Sequence, residues 1–194
     1  MIKLFAKFIS TVINPLVILA ILPYILVFKA TGDLSKTYFW TIFSLIFILT
    51  FSIFVLIGIE KGFFSDLDVS RRKQRPLLYT FAIAMSSFYV TFLYFLKAPE
   101  VLFIALFGLV FGLISMEFIN KITKASIHVA TISAFSTALT LGFGPLFVLS
   151  FIFVPLVAWS RITTHNHTKR QTVIGGIMGI LITLVVYVIF KYII

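Results

Sequence analysis

The three histidines of the chain, His128, His165 and His167, all fall in two short polar stretches set between apolar runs. One reads Lys121-Ile-Thr-Lys124-Ala125-Ser126-Ile127-His128, and the other Ser160-Arg161-Ile-Thr-Thr-His165-Asn-His167-Thr168-Lys169-Arg170-Gln171. A third stretch, Asp66-Leu-Asp68-Val-Ser70-Arg71-Arg72-Lys73-Gln-Arg75-Pro76, brings arginines and two carboxylates but no imidazole. Imidazoles beside guanidiniums suit phosphoryl transfer. Guanidinium forks bind phosphate oxygens in pairs, one histidine can attack phosphorus, and a second can protonate the leaving oxygen. That chemistry requires no metal and no cofactor. Cysteine is absent, which removes a thiolate nucleophile, a zinc-thiolate site and a disulfide framework.

Each stretch also has a plainer use. Charge runs commonly flank membrane spans, and Arg75-Pro76 suits a helix start, where proline is tolerated and an arginine can aim its guanidinium across the membrane face. A lone histidine at a helix entry, such as His128, is most often a hydrogen-bonding residue of the fold. His167 and Gln171, four residues apart, share a face if the last helix begins early enough, and the amide then reaches an imidazole nitrogen. Asp66 and Asp68 ahead of an Arg-Pro pair faintly resemble membrane prenyltransferases, whose acidic motifs hold Mg²⁺ and a diphosphate. That chemistry needs two acidic clusters, whereas the chain has one pair. His165 with His167 is a two-histidine set without matching carboxylates in its loop, which is a poor metal site.

Taken together, the three stretches resemble the type 2 phosphatidic acid phosphatase superfamily, which also contains the vanadium haloperoxidases. The signature of that family is Lys-x6-Arg-Pro, then Pro-Ser-Gly-His, then Ser-Arg-x5-His-x3-Asp. Here the first part survives as Arg75-Pro76, the second as Ser126 and His128, and the third as Ser160-Arg161 and His167 at matching spacings. The similarity covers roughly residues 60–180, and the third motif is its most specific element.

The resemblance implies a membrane lipid phosphatase in which His167 forms a phosphohistidine and His128 protonates the leaving alcohol. Arg75 and Arg161 would hold the phosphate, with the Ser126 region in contact and Arg72 among the nearby cations that supply charge. Gln171 would orient His167. The chain departs from the pattern at Asp68, where the family has lysine, at Ala125 and Ile127, which replace proline and glycine, and at Gln171, which replaces aspartate. Glutamine can fix a histidine tautomer but cannot neutralise an imidazolium. Amide substitution in a serine triad costs about 10⁴ in rate. Activity is therefore expected to be reduced or specialised, and a non-catalytic relative that binds anionic lipid is the alternative.

The elements that must carry these loops are membrane helices. The chain is 61% hydrophobic with only 11% charged residues, far from the average of soluble domains. Its apolar runs approach or reach the roughly 20 residues a helix needs to cross the hydrocarbon core, and they lack the alternation of barrel strands. The expected spans are about 5–28, 38–59, 77–96, 100–119, 127–142, 145–159 and 172–191. The predicted fold is an all-α polytopic membrane bundle of six or seven transmembrane helices, forming one integral membrane domain over residues 1–194. The first run is too long for a secretory signal and no small-residue cleavage site follows it, so it reads as one retained helix. Gly142 and Pro145 separate the two shortest runs. Gly108 with Gly112, and Gly175 with Gly179, are spaced for close helix approach, read as internal packing.

If every run crosses, the three polar stretches share the face of the N-terminus. That face carries twelve of the sixteen Lys and Arg residues; Lys29, Lys36, Lys97 and Lys191 fall on the other. By the positive-inside rule the richer face is cytoplasmic, although better-known members of the resembled family work on the outer side. A plasma membrane of bacterial type is the expected setting. The net charge of +10 flanks spans rather than forming a basic domain, so the expected partners are the bilayer and a phosphorylated lipid, not nucleic acid.

Overall fold

The computed structural model describes residues 1–69 and 71–192, so Ser70 of the first polar stretch lies outside the described residues. The architecture is all-α and polytopic: 85% of it is helical and no strand occurs among the described residues. Among the described residues six helical stretches are long and apolar enough to cross a membrane: Ile2–Thr31, Leu34–Glu60, Arg72–Phe95, Glu100–Ile122, Pro145–Thr163 and Lys169–Tyr192. A shorter apolar helix is Ile127–Phe143. The chain divides into two compact units, one made of Met1–Ile18 with Phe118–Ile194, the other of Leu19–Glu117.

The first unit contains α1 (Ile2–Val12), the start of α2 (Pro15–Thr31), α6 (Ile127–Phe143), a 3₁₀ segment (Pro145–Ile152), α7 (Phe153–Thr163) and α8 (Lys169–Tyr192). The sequence-based expectation of one unbroken first helix is corrected here, because the helix breaks at Ile13 and Asn14. Proline has no N–H for the preceding turn and disfavours helical backbone in the residue before it. Asn14 then caps the new helix, its Oδ1 accepting from the Leu16 N–H at 2.8 Å. The turn between the two shortest runs lies where the spans place it. Helix α6 ends at Phe143, and Gly144 takes a positive φ of 107°. Pro145 opens the 3₁₀ segment that leads into α7.

Packing in this unit depends on missing side chains. A β-carbon added at Gly175 would run into the backbone carbonyl of Ser126, and one at Gly179 into that of Ala130. Thus the Gly175/Gly179 face of α8 lies directly on the backbone of α6. Between membrane helices lipid is as apolar as leucine, so close van der Waals fit of this kind does much of the work that burial does in water. The core beside it is built from Ile9, Ile18, Val129, Ile132 and Val157, all less than a tenth exposed.

The second unit holds the rest of α2, α3 (Leu34–Glu60), a 3₁₀ turn (Arg72–Gln74), α4 (Arg75–Phe95) and α5 (Glu100–Ile122) up to Glu117. Asp33 caps α3 by accepting from the Lys36 N–H at 3.1 Å. Val27, Trp40, Leu93, Leu102 and Leu106 form its main core, and Ser44 Oγ meets Tyr89 OH at 2.6 Å between α3 and α4. A smaller cluster of Val55, Phe64 and Val69 sits under the polar loop that precedes α4.

Candidate functional site

In the first unit, two of the three polar stretches are joined. Lys124 donates from Nζ to the Asn166 carbonyl at 3.0 Å, and the Ser126 N–H donates to the Gln171 carbonyl at 3.1 Å. These bonds bring the entry of α6, with Ser126 and His128, to the loop that carries His167. Ser126 is fully buried and its hydroxyl caps α6, facing the Val129 N–H at 3.5 Å. His128, Arg161 and His167 are all less than a tenth exposed. His165, by contrast, is exposed and holds a left-handed turn at φ 58°.

His167 and Gln171 meet, with Nδ1 3.1 Å from Oε1. They do so by a route the spacing alone does not give, since α8 begins at Lys169 and His167 lies before it. The link is a capping box. Gln171 Oε1 accepts from the Thr168 N–H at 3.2 Å, and Thr168 Oγ1 accepts from the Gln171 N–H at 3.4 Å. Because a backbone N–H can only meet the amide oxygen, Oε1 is also the atom facing the ring. Nδ1 of neutral His167 is then the donor, and Nε2 carries the lone pair. Gln171→Glu keeps both acceptor bonds and adds a charge that favours an imidazolium. It is expected to leave the thermal midpoint in detergent essentially unchanged; a folded variant that melts far below wild type would contradict the capping role.

Arg161, near the end of α7, donates from Nη1 to Ser10 Oγ at 2.7 Å. The Asn166 amide faces the same guanidinium, which only its oxygen can accept from. In that orientation it receives Nη2 at 3.2 Å and Nη1 at 3.3 Å. Both of these groups are neutral, so neither of them cancels the guanidinium charge. One residue earlier, Ser160 donates to the Ala6 carbonyl at 2.6 Å, locking α7 against α1. The next element down is His128, whose Nε2 lies 3.5 Å from Asn14 Nδ2.

Ser10, Asn14 and Asn166 are residues that motif reading passes over. The sequence does carry a signal for the first two. Ala6, Ser10 and Asn14 recur every four residues, which places small and polar groups on one helical face. Asn-Pro also marks a helix boundary.

Arg75 and Arg72 belong to the second unit. Arg75 opens α4 as expected and is 2% exposed, with Nε donating to the Val69 carbonyl at 3.3 Å. One guanidinium nitrogen is thus held by the loop before α4, where Val69 is buried at φ 43°. Arg72 is exposed in the 3₁₀ turn. Asp66 shapes that loop, accepting from the Asp68 N–H at 3.1 Å and the Ser65 hydroxyl at 2.7 Å. Among the described residues no group of three or more His, Asp or Glu side chains gathers to hold a metal.

Of the sequence-predicted residues, the first unit thus brings Ser126, His128, Arg161, His167 and Gln171 into one hydrogen-bonded assembly of two loops and the N-terminal segment. The chain matches no family model, no curated protein and no solved structure.

Proposed function

We propose that this chain is a membrane lipid phosphatase, cleaving a phosphomonoester or diphosphate headgroup through a phosphohistidine on His167. The observation that carries the reading is buried His167 and its bond to half-buried Gln171. Its hydrogen bonds leave Nε2 as the lone-pair nitrogen, in the loop that also fixes Arg161 and borders the entry of α6. In the first step Nε2 attacks phosphorus and the bond from phosphorus to the leaving oxygen breaks. A proton from the imidazolium of His128 goes to that oxygen. Water then cleaves the P–N bond, releasing phosphate and returning the lone pair to Nε2. Arg161 holds phosphate oxygens and offsets charge that builds in the transition state, which is how phosphoryl transfer is mainly catalysed. The backbone around Ser126 completes the phosphate contacts in this reading, and the lipid tail stays among the spans.

The test uses the full chain in detergent without added metal, given phosphatidic acid, phosphatidylglycerol phosphate or a polyprenyl diphosphate. Phosphate release that persists in EDTA is the expected result. Binding of these lipids with no release from any of them would leave an anionic-lipid-binding protein instead. Activity that vanishes with EDTA and requires Asp68 would point to the prenyltransferase-like alternative.

A further inference from the structure

We infer that Asn14 is a positioning residue of the histidine site, fixing the ring of His128 and its tautomer with the lone pair on Nε2 and the proton on Nδ1. The catalytic meaning of this inference rests on reading His128 as the proton-transfer residue; the tautomer itself does not. Asn14 Oδ1 is committed to the Leu16 N–H at 2.8 Å, because it caps the helix that Pro15 starts. The amide therefore presents Nδ2, which can only donate, to His128 Nε2 at 3.5 Å. An imidazole nitrogen facing a donor offers its lone pair, so the neutral ring carries its hydrogen on the other nitrogen.

The setting makes this preference effective. His128 is 6% exposed and Asn14 is half-buried, so little water competes for the ring. The break at Ile13 and Asn14 aims the amide, and the same helical face carries Ser10 to Arg161 and the Ala6 carbonyl to Ser160. One N-terminal segment thus holds a guanidinium and an imidazole at once.

The decisive variant is Asn14→Asp, which keeps the cap and the shape but replaces the Nδ2 donor by a carboxylate oxygen. The full chain, ¹⁵N-labelled at histidine, is studied in detergent at about pH 9, well above the ordinary imidazole pKa of about 6.5. His128 is assigned from the signals lost in His128→Gln. Wild type is expected to show a protonated Nδ1 and an unprotonated Nε2, and Asn14→Asp to exchange the two. A wild-type spectrum with the hydrogen on Nε2 overturns the inference even if the variant does not fold, and so does an unchanged pattern in a folded variant. In the same preparations phosphate release from phosphatidic acid is expected to fall about tenfold or more in kcat, within the roughly 10²–10⁴ that a positioned general acid contributes. An exchanged tautomer with undiminished release overturns the catalytic role of Asn14. An exchanged tautomer with no release from either protein leaves the inference about the tautomer standing and sinks the phosphatase reading.

Discussion

His167→Ala is expected to reduce phosphate release by at least about 10³-fold, to the background of protein-free detergent. Removing the nucleophile of a covalent mechanism costs about that much or more, because neither of the two half-reactions can proceed without it. The loss should be one of chemistry, not of folding. In the variant Gln171 Oε1 still accepts from the Thr168 N–H, and Thr168 still caps α8, so the capping box survives truncation of the ring. A second readout separates nucleophile from bystander. Wild type incubated with labelled substrate and quenched in base should retain label on the chain in an acid-labile, base-stable form, as expected of a phosphohistidine. His167→Ala should retain none. His165→Ala provides the contrast: its side chain is exposed on a turn, and its removal should leave turnover within about twofold. Release at the wild-type rate from a folded His167→Ala protein would end the phosphohistidine proposal.

The pair at the centre of that experiment shows how far spacing can be trusted. Four residues between His167 and Gln171 suggest two side chains on one helical face, and the two do meet, but across a helix boundary. A Thr-x-x-Gln box draws the glutamine back over the first turn of α8, and the imidazole of the preceding loop shares its oxygen. The motif therefore located the contact, while local capping chemistry made it. This also gives Gln171 a structural use that an aspartate, one methylene shorter, would serve with less reach.

Membrane architecture was legible because lipid imposes one rule on every span: the backbone must satisfy itself, so long apolar runs are helices. The same uniformity hid the break at Asn14. A run such as Thr11-Val-Ile-Asn14-Pro15-Leu carries both the proline and its cap, yet one apolar run of that length reads as a single span. Long-range partners were beyond reach for a different reason. Ser10 meets Arg161 across 151 residues and Asn14 meets His128 across 114, and nothing local to either member encodes the pairing. Arg75 shows the converse: its place at a helix start follows from Arg-Pro, but the bond from its Nε to the carbonyl of buried Val69 does not.

Gly179→Leu is expected to abolish folding of the first unit, seen as loss of monodisperse protein in detergent, whereas Gly176→Ala should be tolerated. The contrast follows from what each new β-carbon meets. At Gly176 its nearest neighbour is Ser133 Oγ at 3.5 Å, an ordinary van der Waals contact with a small side chain. At Gly179 it runs into the carbonyl of Ala130, which belongs to the backbone of α6 and cannot rotate away. The two helices must then separate along a contact that also positions Ser126 beside Gly175, so strain passes directly to the entry of α6 and to His128. Overpacking an interior typically costs about 1–3 kcal/mol when side chains can adjust. Here they cannot, and the cost should reach the upper end or exceed it, a large share of a typical domain stability of about 5–15 kcal/mol. Gly179→Ala is the graded case: a thermal midpoint clearly below wild type, with activity falling in parallel because the same helix contact supports the histidine loops. A Gly179→Leu protein as stable as wild type would mean that α6 and α8 do not lie backbone to backbone. The assembly of the two histidine stretches on that contact would fall with it.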